Sequence, residues 1–132
     1  MTFEEFEKYQ QSLFDEVAKM RDTKGREYAN SADRFANFNR LAEELGLSNV
    51  QVAWVYTAKH LDSLKQYIRT QQTYSTEPIE GRIVDAICYL TLIGGMLLEG
   101  RTKEAAAGQM DPLGQLKGYS NYLKQGKVGK GL

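Results

Sequence analysis

The feature that most constrains this chain is a nearly uninterrupted apolar run from Ala86 to Leu98, closed by Asp85 and Glu99. It is too short to span a bilayer and predicts a helix covered by protein. Pro78 belongs in a first helical turn, where its missing N–H costs nothing, and Glu77 and Glu80 favour the same end through the helix dipole. The predicted helix runs from about Ile79 to Glu99. So apolar a helix must be covered on more than one face, which puts it at the centre of the domain or at an oligomer interface. Gly94-Gly95 inside it costs roughly 1 kcal/mol of helix propensity per glycine. Close approach of a neighbouring helix is the expected reason, and a kink is the alternative.

Three more helices precede it. Phe3, Phe6, Leu13, Phe14, Val17 and Met20 recur at helical spacing with charges between them, predicting a first helix that ends near Thr23-Lys24-Gly25. Ser31 can cap a second helix carrying Phe35, Phe38, Leu41 and Leu45, and Gly46 can end it. Ser48 and Gln51 have the spacing of a capping box, opening a third helix through Val52, Val55, Tyr56, Leu61, Leu64 and Ile68. The expected fold is all-α and four-helix bundle-like, a single domain over residues 1–107 with its core in 20–99. Residues 108–132 bring glycines, Pro112 and spaced lysines, and are expected to form a tail that docks weakly or is disordered.

Composition narrows the functional classes. The 17 basic and 17 acidic side chains cancel, so there is no electrostatic warrant for nucleic-acid binding. The lone cysteine, Cys88, can form neither an internal disulfide nor a cysteine-based zinc site, and predicts a small core residue in a reducing, cytosolic setting. The acidic start, Met1 to Glu5, lacks the order of a signal peptide. There is no phosphate-binding glycine loop, no dinucleotide fingerprint, and no Ser/His/Asp or Cys/His arrangement with a credible nucleophile.

The polar residues on the core-forming helices carry the chemistry. Asp85 lies among Ile83, Val84, Ala86 and Ile87, so its carboxylate faces a partly desolvated space and needs a cation, a metal or several donors to stay ionised. One reading is an internal ion-pair network, with Asp85 against Lys59, Arg82 or Arg40 and Asp62 against Lys59 or Lys65. The other brings Asp62, Glu80 and Asp85 together as oxygen ligands for Mg²⁺, with Lys24, Lys59 and Arg82 neutralising phosphate. Lys24 to Asn30 packs charges, an aromatic and an amide into one glycine-containing turn. Tyr28 there, with Asn37 and Phe38 beyond, can flank a nucleobase; the alternative is a capped turn with Tyr28 in the core. His60, the single histidine, is expected at the surface or in a pair rather than on a metal. Trp54, Tyr56, Tyr67 and Tyr74 read as core or interface.

Lys24-x-x-Glu27-Tyr28, Asn37-Phe38, Lys59-His60-Leu61-Asp62-Ser63 and the segment from Glu77 to Leu90 together resemble the phage-associated nucleotide-modification-associated domain 1 group. That group is related in fold to the all-α NTP pyrophosphatases, the MazG-like enzymes. The resemblance covers about residues 20–99. It implies a Mg²⁺-dependent site that cleaves a nucleoside triphosphate to monophosphate and pyrophosphate. Asp62 and Asp85 would be catalytic, Asp62, Glu80 and Asp85 the metal ligands, and Lys24, Glu27, Tyr28, Asn37, Lys59 and Arg82 the substrate contacts. Asp85 matches the Asp of the family's E-x-x-D pattern, but Arg82 stands where its Glu belongs. A non-catalytic nucleotide-binding or sequestering protein and a structural helical oligomer are the alternatives. Self-association, a phage or prophage origin and a location in the host cytoplasm complete the expectation.

Overall fold

The structure, a computed structural model, describes residues 1–28, 32–104 and 112–126. It is all-helical, with five helices and no strand among the described residues. The order is α1 Phe3–Tyr28, α2 Ala36–Leu45, α3 Asn49–Thr70, α4 Ile79–Glu104 and α5 Pro112–Lys124. The chain divides into two compact units, Met1–Met96 and Leu97–Leu132.

Local chemistry explains most boundaries. α3 opens on the predicted capping box: Gln51 N–H donates to Ser48 Oγ at 3.1 Å, and Ser48 N–H donates to Gln51 Oε1 at 2.8 Å. α2 ends where Gly46 turns left-handed at φ 67, a conformation that glycine adopts without penalty. α3 ends on Gln71, also left-handed at φ 57, whose N–H donates to Tyr67 O at 2.7 Å.

Three expected boundaries move. α1 runs on through Gly25 to Tyr28, about one turn further than predicted. The Arg34 guanidinium lies over Gly25, where a Cβ would sit 3.4 Å from Arg34 Cζ, so the glycine is covered rather than exposed as a helix stop. α2 starts later, after Phe35; Asp33 Oδ1 accepts the Phe35 N–H at 2.9 Å and Asp33 Oδ2 accepts from Asn39 Nδ2 at 3.1 Å, while the expected cap Ser31 is outside the described residues. α4 passes Gly100 to Glu104, supported within its last turns by Lys103 Nζ on Glu99 at 3.0 Å and Thr102 Oγ1 on Leu98 O at 2.9 Å. Its basic last turn suits the helix dipole. By length and composition, Ile79–Lys103 is thus long and apolar enough to cross a membrane, which the shorter run Ala86 to Leu98 is not. The expected tail carries a helix of its own, α5, with Pro112 in its first turn.

In the first unit, α4 meets its neighbours through specific side chains. Cys88 Sγ points at Val17 O of α1 at 3.7 Å. Phe35 of the α2 entry seats on Gly95, where a Cβ would come within 3.0 Å of its Cζ. The close approach expected of the glycine pair is therefore made at Gly95, whereas Gly94 faces open space. The fully packed core is small and built of slim side chains: Ala42, Val52, Ala53, Thr57, Val84, Ala86 and Met96. Trp54 is 53% exposed, and Tyr74 lies on the surface as well. Neither of these two belongs to the core.

Candidate functional site

Slim core residues leave room between the helices of the first unit. A cleft of about 840 Å³ opens there, lined by residues of α1, α2, α3 and α4. Its size is that of a small-molecule site. Phe38, Tyr56 and Tyr89 form an aromatic wall: Tyr56 and Tyr89 stack with centroids 5.7 Å apart, and Phe38 meets both edge-on at 6.2 and 6.3 Å. Among the described residues, four cations, Arg21, Lys24, Arg34 and Arg40, line the same cleft with a single carboxylate, Asp85. Asn37, Cys88 and Thr91 add further polar groups.

Asp85 is the pivot. Its position among apolar neighbours predicts a desolvated carboxylate, and it is buried. Lys24 Nζ donates to Oδ1 at 3.4 Å, and His60 Nδ1 lies 3.7 Å from Oδ2. Arg82 Nη1 approaches the same His60 nitrogen at 3.3 Å, while its Nη2 pairs with Glu77 Oε2 at 3.1 Å. An arginine N–H can only donate, so Nδ1 accepts and the neutral ring carries its proton on Nε2. Burial, the largest influence, pushes the His60 pKa below 6.5; the Asp85 charge pulls the other way and the Arg82 charge adds to the fall. The imidazole also stacks on Tyr89, centroids 5.4 Å apart, so it supports the aromatic wall from behind. The Cys88 thiol is pushed up by burial first and by the Asp85 charge second, which keeps it protonated and a poor nucleophile.

The expected site residues divide. Lys24, Asn37 and Asp85 come together in the cleft. Arg82 sits behind it, joined to Asp85 through His60. Asp62 is on the surface with Lys65 Nζ 3.8 Å from its Oδ1, and Glu27, Lys59 and Glu80 are exposed and line no part of the cleft. Among the described residues, no three His, Cys, Asp or Glu side chains are grouped to hold a metal ion. The convergence of Asp62, Glu80 and Asp85 on Mg²⁺ is therefore not seen: two of the three carboxylates point into water. Tyr28 closes α1, but its side chain lies outside the described residues. The ion-pair reading of Asp85 is met with a different partner, Lys24 in place of Lys59, Arg82 or Arg40.

No protein-family model, curated protein or solved structure matches the chain. The resemblance to the nucleotide-modification group thus rests on its motif residues alone.

Sequence reasoning missed Arg21 and Arg34, named Arg40 only as an ion-pair partner for Asp85, and gave His60 no place behind the wall. Helical spacing held a signal for several of these. Arg21 precedes Lys24 by three residues, Arg40 follows Asn37 by three, and His60 follows Tyr56 by four, so each shares a face with a cleft residue.

Proposed function

We propose that the chain is a nucleotide-binding protein that holds its ligand's phosphates with its own cations rather than with a caged metal ion. One observation carries this reading: a cleft with four cations, one carboxylate and an aromatic wall. Guanidinium and ammonium groups donate charge-assisted hydrogen bonds to phosphate oxygens, and aromatic faces accept a base by stacking. Arg82, which replaces an acidic position of the family pattern, supports it, because it removes a carboxylate that a metal would need and instead backs the cleft through His60.

The all-α NTP pyrophosphatase type of fold is part of the proposal, supported by the four helices of the first unit and by the motif residues. So are a phage or prophage origin, a cytoplasmic location and self-association. Hydrolysis to monophosphate and pyrophosphate is the second reading, favoured by the buried carboxylate Asp85 in the cleft. The donor set around it does not fit a magnesium cage, so no step is assigned to that ion.

Calorimetric titration with nucleoside mono- and triphosphates, in EDTA and then with Mg²⁺, tests the proposal. Binding in EDTA is the expected result. Binding only with Mg²⁺, accompanied by pyrophosphate release, replaces it with the hydrolase. Absence of binding and of thermal stabilisation by any nucleotide leaves the structural oligomer, since a native-state ligand must raise the melting temperature.

A further inference from the structure

The cleft's one carboxylate also bears on which base it accepts, an inference that rests on the nucleotide reading above. The Asp85 side chain is only 8% exposed. Among the described residues it accepts one hydrogen bond, the long one from Lys24 Nζ at 3.4 Å. His60 Nδ1, 3.7 Å from the other oxygen, is already the acceptor for Arg82 and has no proton to give. A carboxylate offers about four acceptor sites, and a buried one gains most from donors that reach it in pairs. Asp85 therefore has acceptor capacity to spare on the face it shows the cleft.

Its surroundings fix the shape of the complementary group. Tyr89 lies one helical turn after Asp85 on the same face of α4, and both line the cleft with Phe38 and Tyr56, so a flat ring laid against the exposed part of this wall can present an edge to the carboxylate. The Lys24 ammonium stands beside that carboxylate as a donor. The pair presents two acceptors flanked by one donor. Guanine carries the matching edge: N1–H and the 2-amino group are adjacent donors, and O6 beside them is an acceptor. Adenine and cytosine set a single donor group next to a ring acceptor, and uracil sets one donor between two acceptors. None of those edges satisfies both carboxylate oxygens and the ammonium together.

We propose that the cleft selects guanine nucleotides, Asp85 accepting from N1–H and the 2-amino group and Lys24 donating to O6. The phosphates fall to Arg21, Arg34 and Arg40, and Asp85 acts as a specificity determinant where the family pattern has a metal ligand. Titrations in EDTA with the monophosphates of guanosine, inosine, adenosine and xanthosine test it on the unaltered protein. Inosine monophosphate lacks only the 2-amino group and is expected to bind at least about tenfold more weakly than guanosine monophosphate, the loss of one hydrogen bond to a charged group. Asp85→Asn, shown to be folded by circular dichroism, is expected to turn toward xanthosine monophosphate, because its amide donates to the 2-oxo group. Equal binding of the guanosine and inosine nucleotides overturns the selectivity and leaves nucleotide binding intact. Absence of binding by all four overturns both.

Discussion

Lys24 Nζ lies 3.4 Å from Asp85 Oδ1 across 61 residues of sequence, tying the last turns of α1 to the early turns of α4. The lysine is half exposed and the aspartate is buried, so the two ends of the pair do different work. The ammonium is available to a ligand, and the carboxylate is held in place by the fold.

Lys24→Ala is expected to weaken nucleotide binding about tenfold, the worth of one charge-assisted hydrogen bond. Stability falls by no more than about 1 kcal/mol, because solvent already screens the lysine. Titration calorimetry and urea unfolding measure the two effects separately. Unchanged affinity would remove Lys24 from the site.

His60 makes stability depend on pH. Its folded-state pKa is depressed below 6.5, so the unfolded chain takes up a proton that the folded chain resists. The contribution is complete above about pH 6.5 and is lost as the pH falls through the folded value. Melting temperatures between pH 8 and pH 5 are expected to drop more steeply for the wild type than for His60→Gln. Parallel profiles would assign the acid sensitivity to other groups.

The two adjacent glycines of α4 should respond in opposite directions. Gly94 faces open space, so Gly94→Ala gains helix propensity and stabilises by up to about 1 kcal/mol. Gly95→Leu drives a side chain into Phe35 and costs about 1–3 kcal/mol. Denaturant melts of both variants check this, and stabilisation by Gly95→Leu would contradict the packing described.

Cys88 lines the cleft with a thiol whose pKa is raised by burial. Alkylation at pH 8 is expected to run slower than for a free thiol. Saturating nucleotide should slow it further, read by mass spectrometry. A rate indifferent to nucleotide would place the ligand elsewhere.

Trp54, Val55 and Ile68 on α3 and Leu90 on α4 leave large apolar side chains exposed. Such surface suits a second copy of the chain. Sedimentation velocity is expected to show a dimer that Trp54→Glu or Leu90→Glu dissociates. A monomeric wild type at tens of micromolar would leave these residues unexplained by self-association.

The helices were legible wherever local chemistry decides: the Ser48–Gln51 box and the Gly46 cap depend only on residues a few positions apart. Boundaries set from a distance were not. Gly25 reads as a stop until Arg34, nine residues on, lies over it. The site followed the same division. Asp85 announced itself by being charged among apolar neighbours, Lys24 by crowding of polar groups in one short segment, and Asn37 by following that segment with Phe38 on the next helix. Their partners did not, because an arginine looks the same in sequence whether it faces a cleft or water. Asp62 has the spacing of a motif with Lys59, but its side chain lies in solvent beside Lys65, and it is His60 on the same turn of α3 that meets Asp85.

The contact of Phe35 with Gly95 also bears on how this chain can vary. A side chain at position 95 requires the ring at position 35 to shrink or withdraw, and that ring is itself part of the cleft's lining. The two positions should therefore drift together among variants that survive selection. A library that randomises either one alone will find few of the solutions that randomising both would reach.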